Sequence, residues 1–227
     1  MPRPSANNIR ALAVGAALLC AAFAPAAQAG AKAATFASVF DTRGEPAALY
    51  YRATFAGKDG PHTVQVWRDG QTRLRRKTDE AIDTYVTRSA DDPSAYQMTV
   101  VDYRKRITTR IGRDNLIRLG HMSDWFDLAH GLRYPVGAYR LTPAAAPADA
   151  PAPVSACHWY ALTQGSNTHR ICWSAREHLP LLIWSDQAAS AVWQVTQVER
   201  RPIGDVDFAL HDAGFVRSDA NADLDGD

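Results

Sequence analysis

Apolar and polar positions alternate with period two through most of the chain after residue 48. In 49–55, Tyr51, Ala53 and Phe55 fall on one side of an extended strand, and in 62–68 Val64 and Val66 do the same. Strand signals continue at 72–77, 82–88, 96–103 and 106–111, with Met98 and Val100 sharing a face. The links between them are short and rich in Gly, Asp, Pro and Ser, such as Gly57-Lys58-Asp59-Gly60-Pro61 and the hairpin dipeptide Asp69-Gly70. A parallel crossover needs a dozen or more residues, so links this short predict antiparallel neighbours and a continuous β-meander. A short helix is predicted ahead of it, over residues 32–41.

The period changes at 120–132. Trp125, Leu128, Ala129 and Leu132 recur at helical spacing behind a capping Ser123, and Pro135 ends the run. An Ala/Pro-rich segment, 143–153, reads as a stiff exposed loop. Strands resume at 156–163, 168–175, 179–185 and 191–200, and a short piece at 206–210 is expected to pair at an edge. Trp184 and Trp193 lie on successive strands and are expected to face each other. The predicted fold is mainly β (α+β): a curled antiparallel sheet of about nine to ten strands forming an incomplete barrel, covered by one or two short helices. So little helix leaves part of the inner face for a ligand. The predicted lining is Tyr51, Phe55, Val64, Val66, Met98, Val100, Trp184 and Trp193.

Compartment follows from the first residues. Arg3 and Arg10, an apolar run over 11–23 and the small-x-small triplet Ala27-Gln28-Ala29 read as a signal peptide, residues 1–29, cleaved near Ala29. Leu18 and Leu19 before Cys20 do not fit a lipoprotein cleavage pattern, which wants a small residue there. The mature chain is expected to be one domain, 30–217, followed by an acidic disordered tail, 218–227, and to reside in the periplasm without a transmembrane span. With 25 basic and 24 acidic residues, charge gives no case for nucleic acid.

Export decides the reading of Cys157 and Cys172, which frame a turn together with His158 and His169. Two cysteines in an oxidising compartment favour a disulfide. A hairpin register pairing residues whose numbers sum to 329 sets Cys157 opposite Cys172 and Trp159 opposite Arg170. Both histidines then lie on the other face, where they cannot complete a zinc site.

The order of signal peptide, meander, helical interruption and second meander resembles the LolA/LolB-like superfamily of periplasmic lipoprotein carriers, which includes the RseB-type sensor domain. The resemblance is strongest in the stretch Trp173-Ser174-Ala175-Arg176-Glu177-His178-Leu179-Pro180-Leu181-Leu182-Ile183 and in the ending from Trp193 to Val198, then Phe208 and Gly214-Phe215. The 143–153 insert and the acidic tail have no counterpart in it, and a regulator's second small domain is missing. The resemblance implies an incomplete barrel around a hydrophobic cavity holding the acyl chain of a lipid or lipoprotein, as a carrier or lipid sensor.

No catalytic motif, phosphate loop or dinucleotide fingerprint is present, so neither enzymatic activity nor a cofactor is expected. Ser123, Asp124 and His130 read as a cap and solvated helix residues rather than a nucleophile set. The other histidines are scattered, and no metal is expected. The Asp-rich run from Asn221 to Asp227 stops short of a complete calcium loop and reads as solvated. Basic residues cluster at Arg73, Arg75, Arg76 and Lys77 and at Arg104, Lys105, Arg106, Arg110 and Arg113. They read either as a solvated sheet surface or as a docking face for an envelope protein or lipid headgroups.

Overall fold

The computed structural model describes residues 34–89, 91–92, 96–118 and 125–222. The predicted signal peptide and the last residues of the tail, with Ser123 and Asp124, lie outside them. The described residues belong to one compact unit.

The first half is the expected meander: β1 (Ala48–Gly57), β2 (Gly60–Asp69), β3 (Arg73–Thr78), β4 (Ile82–Arg88), β5 (Tyr96–Asp102) and β6 (Ile107–Gly112), each antiparallel to the next. Two short helices interrupt it, α2 (Arg113–Arg118) and α3 (Trp125–His130), after an N-terminal turn of helix, α1 (Phe36–Val39). The second half comprises β7 (Arg140–Pro143), β8 (His158–Gln164), β9 (Asn167–Ser174), β10 (Leu179–Ser185) and β11 (Ser190–Glu199). The 144–157 segment between β7 and β8 has no regular element, as its Ala/Pro content predicts.

All strands join in one 12-stranded sheet, ordered β12-β6-β5-β4-β3-β2-β1-β11-β10-β9-β8-β7, where β12 is Val216–Asp219. The sheet is larger than expected and is not closed. Its seam is β1 against β11, with Phe55 opposite Trp193 and a bulge between Arg52 and Ala53. The edge prediction is corrected: 206–210 forms no strand. Asp205–Phe208 is a 3-10 turn, and β12 fills the edge instead, parallel to β6. Residues 206–210 contain Asp207 and only one alternation, too little to specify a strand, whereas β12 takes its place through backbone pairing with little burial.

The inner face is packed by α3. Trp125, Leu128 and Ala129 join Leu49, Tyr51, Val64, Val66, Leu74, Val86 and Met98 in the main core. A second cluster sets Phe36 of α1, Phe40 just after it and Phe126 of α3 on Leu162, Ile171 and Trp173. On the outer face, residues 201–212 run across the sheet as a strap: Ile203 packs with Tyr50 and Trp67, and Phe208 beside them.

The Cys157–Cys172 disulfide is present, with Cα atoms 5.4 Å apart. The hairpin register sums to 331, not 329: Trp159 lies opposite Cys172 and Ala161 opposite Arg170. The cause is the turn. Gly165 adopts φ +56°, the left-handed region where glycine carries no Cβ penalty, so Gly165-Ser166 forms a two-residue loop. A slip of two residues preserves every face, which is why the disulfide survives the correction. Trp184 and Trp193 do not face each other. Trp193 pairs with Ile183, and Trp184 lies opposite Ala191 and Arg170, because a bulge shifts the register between Ile183 and Trp184.

Candidate functional site

The expected lining residues divide into packed and open ones. Tyr51, Val64, Val66 and Met98 are buried in the core with Trp184, and Val100 packs against it. Phe55 and Trp193 instead line an open cleft of about 270 Å³ at the end of α3, with Arg76, Asp127, Gly131, Leu132 and Arg133. A second depression, about 320 Å³, shares Phe55 and lies at the β1–β2 turn beside Ala191 and Gln194.

Local structure explains the cleft. Phe55 sits near the end of β1, where the hairpin outruns the covering helix, and its ring is stacked on His62 at 5.2 Å and lies 6.5 Å from Trp193. Trp193 is held by its indole N–H, which donates to the Pro180 carbonyl at 2.8 Å. Gly131 ends α3 with φ +67°, and a Cβ there would come within 2.9 Å of the Trp193 ring. Glycine is thus required twice over, for the left-handed cap and for the close approach of the indole. At the rim, the Asp127 carboxylate pairs with Arg133 Nε at 3.4 Å and accepts from the Tyr134 backbone N–H at 3.3 Å.

Arg76 faces this cleft because β3 alternates. It lies opposite Val66 and Thr84, in the row of Leu74, while Arg73 and Arg75 point to the outer face. Its guanidinium lies 5.8 Å from the Phe55 ring centroid. Burial pushes its pKa down, opposed by Tyr51 nearby.

The outer cations are engaged by the chain itself. Arg73 binds Asp205 at 2.6 Å and also Asp69. Arg75 binds Asp83 at 2.7 Å, donates to the Asp207 carbonyl at 2.7 Å and covers the Trp67 ring. Arg201 binds Asp207 at 3.2 Å. The strap therefore occupies the face on which Arg73 and Arg75 were expected to be free.

His130, the last residue of α3, belongs to a buried charge cluster. Glu45 receives Arg68 Nη1 at 3.3 Å and His130 Nε2 at 2.9 Å, with the Arg68 and His130 side chains wholly buried. Gln71 Nε2 donates to its other oxygen. Burial pushes the Glu45 carboxyl up, but the His130 hydrogen bond and the Arg68 charge outweigh it and hold the pKa below its usual value. Burial also lowers the His130 pKa, with Arg68 adding to the effect and Glu45 opposing it. Both ring nitrogens face acceptors 2.9 Å away, Nε2 the Glu45 carboxylate and Nδ1 the Phe126 carbonyl, so a neutral ring donates to one of them and a protonated ring to both. His130 also lines a polar pocket of about 290 Å³ with Asp41, Gln71, Arg88 and Tyr134. This cluster is absent from the sequence reading, yet Arg68 continues the Val64-Val66 alternation and so belongs to the inner face.

Neither a family model nor a curated protein matches the chain. The functional reading therefore rests on the geometry. Among the described residues no group of three or more His, Cys, Asp or Glu is placed to hold a metal ion, and no helix is long and apolar enough to cross a membrane.

Proposed function

We propose that the protein is an exported, non-enzymatic binding protein, residing in the periplasm after signal-peptide removal, that takes the acyl chain of a lipid or lipoprotein at the inner face of its sheet. The observation that supports this most is the cleft beside α3, where the half-buried Phe55 ring stands against the largely buried Leu132 and Trp193 side chains. An open sheet must satisfy its inner face with helix, loop or ligand, and α3 stops short of this end. The Cys157–Cys172 disulfide is compatible with an oxidising compartment.

Protein purified from the envelope is expected to carry lipid detectable by mass spectrometry and, once delipidated, to take up a fluorescent fatty acid. Phe55→Asp, which places a charge in the apolar wall, is expected to abolish uptake while leaving the far-UV spectrum unchanged. A lipid-free preparation with no uptake would refute the reading.

A further inference from the structure

The cleft contains a cation that an acyl chain alone does not use. Arg76 is half-buried on the inner face, and among the described residues its guanidinium has no carboxylate within ion-pair distance and donates no hydrogen bond to a side chain or carbonyl. Its neighbours on the same strand differ. Arg73 and Arg75 each hold a carboxylate, at 2.5 Å and 2.7 Å. The one acid that shares the cleft, Asp127, is taken by Arg133 and the Tyr134 N–H. The Phe55 ring makes a cation–π contact with it, 5.8 Å from the guanidinium carbon to the ring centroid. A half-buried guanidinium without a counter-charge, set beside Phe55, Leu132 and Trp193 in the cleft, suits a partner that brings the negative charge with it.

We infer that Arg76 anchors the anionic head of a single-chain amphiphile, a carboxylate or phosphate ester, whose hydrocarbon lies against Phe55, Leu132 and Trp193. This deepens the acyl-binding reading and rests on it. The chain excludes water from the head, which strengthens each charge-assisted hydrogen bond from the guanidinium. The head gives the orientation that an apolar wall cannot provide.

The test is calorimetric titration of the delipidated protein with decanoate, decyl phosphate and decanol below their aggregation concentrations, with acetate and inorganic phosphate as chainless controls. Wild type is expected to favour the charged ligands over decanol by roughly tenfold or more, the range of a charged hydrogen bond. Arg76→Gln is expected to lose that preference and keep its decanol affinity, which also shows that it is folded. Arg76→Lys retains part of it. The stronger of decanoate and decyl phosphate identifies a fatty-acid or a phospholipid-type head. Because the cation holds no carboxylate and its contact with the Phe55 ring is a distant one, ligand-free Arg76→Gln should melt close to wild type; a clear drop would mean a structural role and overturn the anchor. Equal affinity of wild type for decanoate and decanol would also overturn it while leaving the chain site intact. Binding of acetate or phosphate as tight as their decyl counterparts would reduce the site to a plain anion site. Failure of all three chains to bind would remove the acyl reading itself.

Discussion

Glu45 offers the sharpest test of how the molecule is held together. Its side chain is 6% exposed and its partners Arg68 and His130 are fully buried, so Glu45→Gln keeps the shape and removes the one carboxylate among the described residues within ion-pair distance of Arg68. The remaining acceptor for Arg68 is the Glu177 carbonyl at 3.5 Å, too distant to compensate a buried charge. Breaking one partner of a buried ion pair costs about 3–5 kcal/mol. For a domain of this length each kcal/mol lowers Tm by about 2–4 °C, so a loss of roughly 6–20 °C is expected. Urea unfolding at pH 7.5, followed by circular dichroism with the disulfide intact, gives the value directly. Asp205→Asn is the control: its side chain is 96% exposed at the outer end of the Arg73 pair and should change stability by no more than about 1 kcal/mol. In Glu45→Gln/Arg68→Met the orphaned cation is gone, and the double variant should lose less than the sum of the singles. A Glu45→Gln loss below about 1 kcal/mol would refute the reasoning, because it would mean that water reaches Arg68 and that the cluster behaves as a surface pair.

Two further outcomes are expected. Cys157→Ser removes a crosslink across 15 residues and should lower stability by about 3 kcal/mol, read as the shift in urea midpoint against wild type; no shift would show that the hairpin is fixed by its turn and ladder alone. His62 and His130 should titrate on opposite sides of the ordinary histidine value in an NMR pH series, His62 above it because Asp79 and then Asp59 hydrogen-bond its ring, and His130 below it because it is buried. The signs for stability follow. The His62 contribution is present below about pH 6.5 and fades as pH rises through its folded pKa. That of His130 is present above about pH 6.5 and fades as pH falls toward its folded pKa, with Glu45 adding loss at still lower pH. His130 titrating above His62 would contradict at least one of the two assignments.

The meander was legible because its strands alternate cleanly and its links carry turn chemistry: residues 82–88 were predicted and β4 is Ile82–Arg88. Helix α2 and strand β7 were not, since Arg113–Arg118 and Arg140–Pro143 are too short and too polar to show a period. Parity was readable where register was not. The faces of Cys157 and Cys172 followed from spacing alone, but the two-residue slip depends on which residue takes the left-handed turn position, and Gly165 settles it. Within the candidate site, Phe55 was named from alternation and Trp193 from an expected pairing with Trp184 that does not form, whereas Arg76 was grouped with Arg75 by proximity in the chain. One position separates them, and on a strand one position is the other face. The Glu45–Arg68–His130 cluster draws on three distant segments, and no local pattern connects a loop acid to a helix-terminal histidine.

The seam between β1 and β11 has a consequence for how the molecule comes to exist at all. Eight of the other ten neighbouring pairs of strands are joined by short links, so each half can zip up hairpin by hairpin in chain order. Tyr50 must wait for Glu199, and closing a loop of roughly 150 residues costs about 2 kcal/mol more than closing the Cys157–Cys172 loop. Until residue 199 has emerged, one long edge of β1 stands open with unpaired amides and carbonyls, a template for the wrong strand. The disulfide hairpin can oxidise before that joint forms, giving the late half a finished piece to dock. The two meanders are thus joined at the first strand only after nearly all of the chain is made.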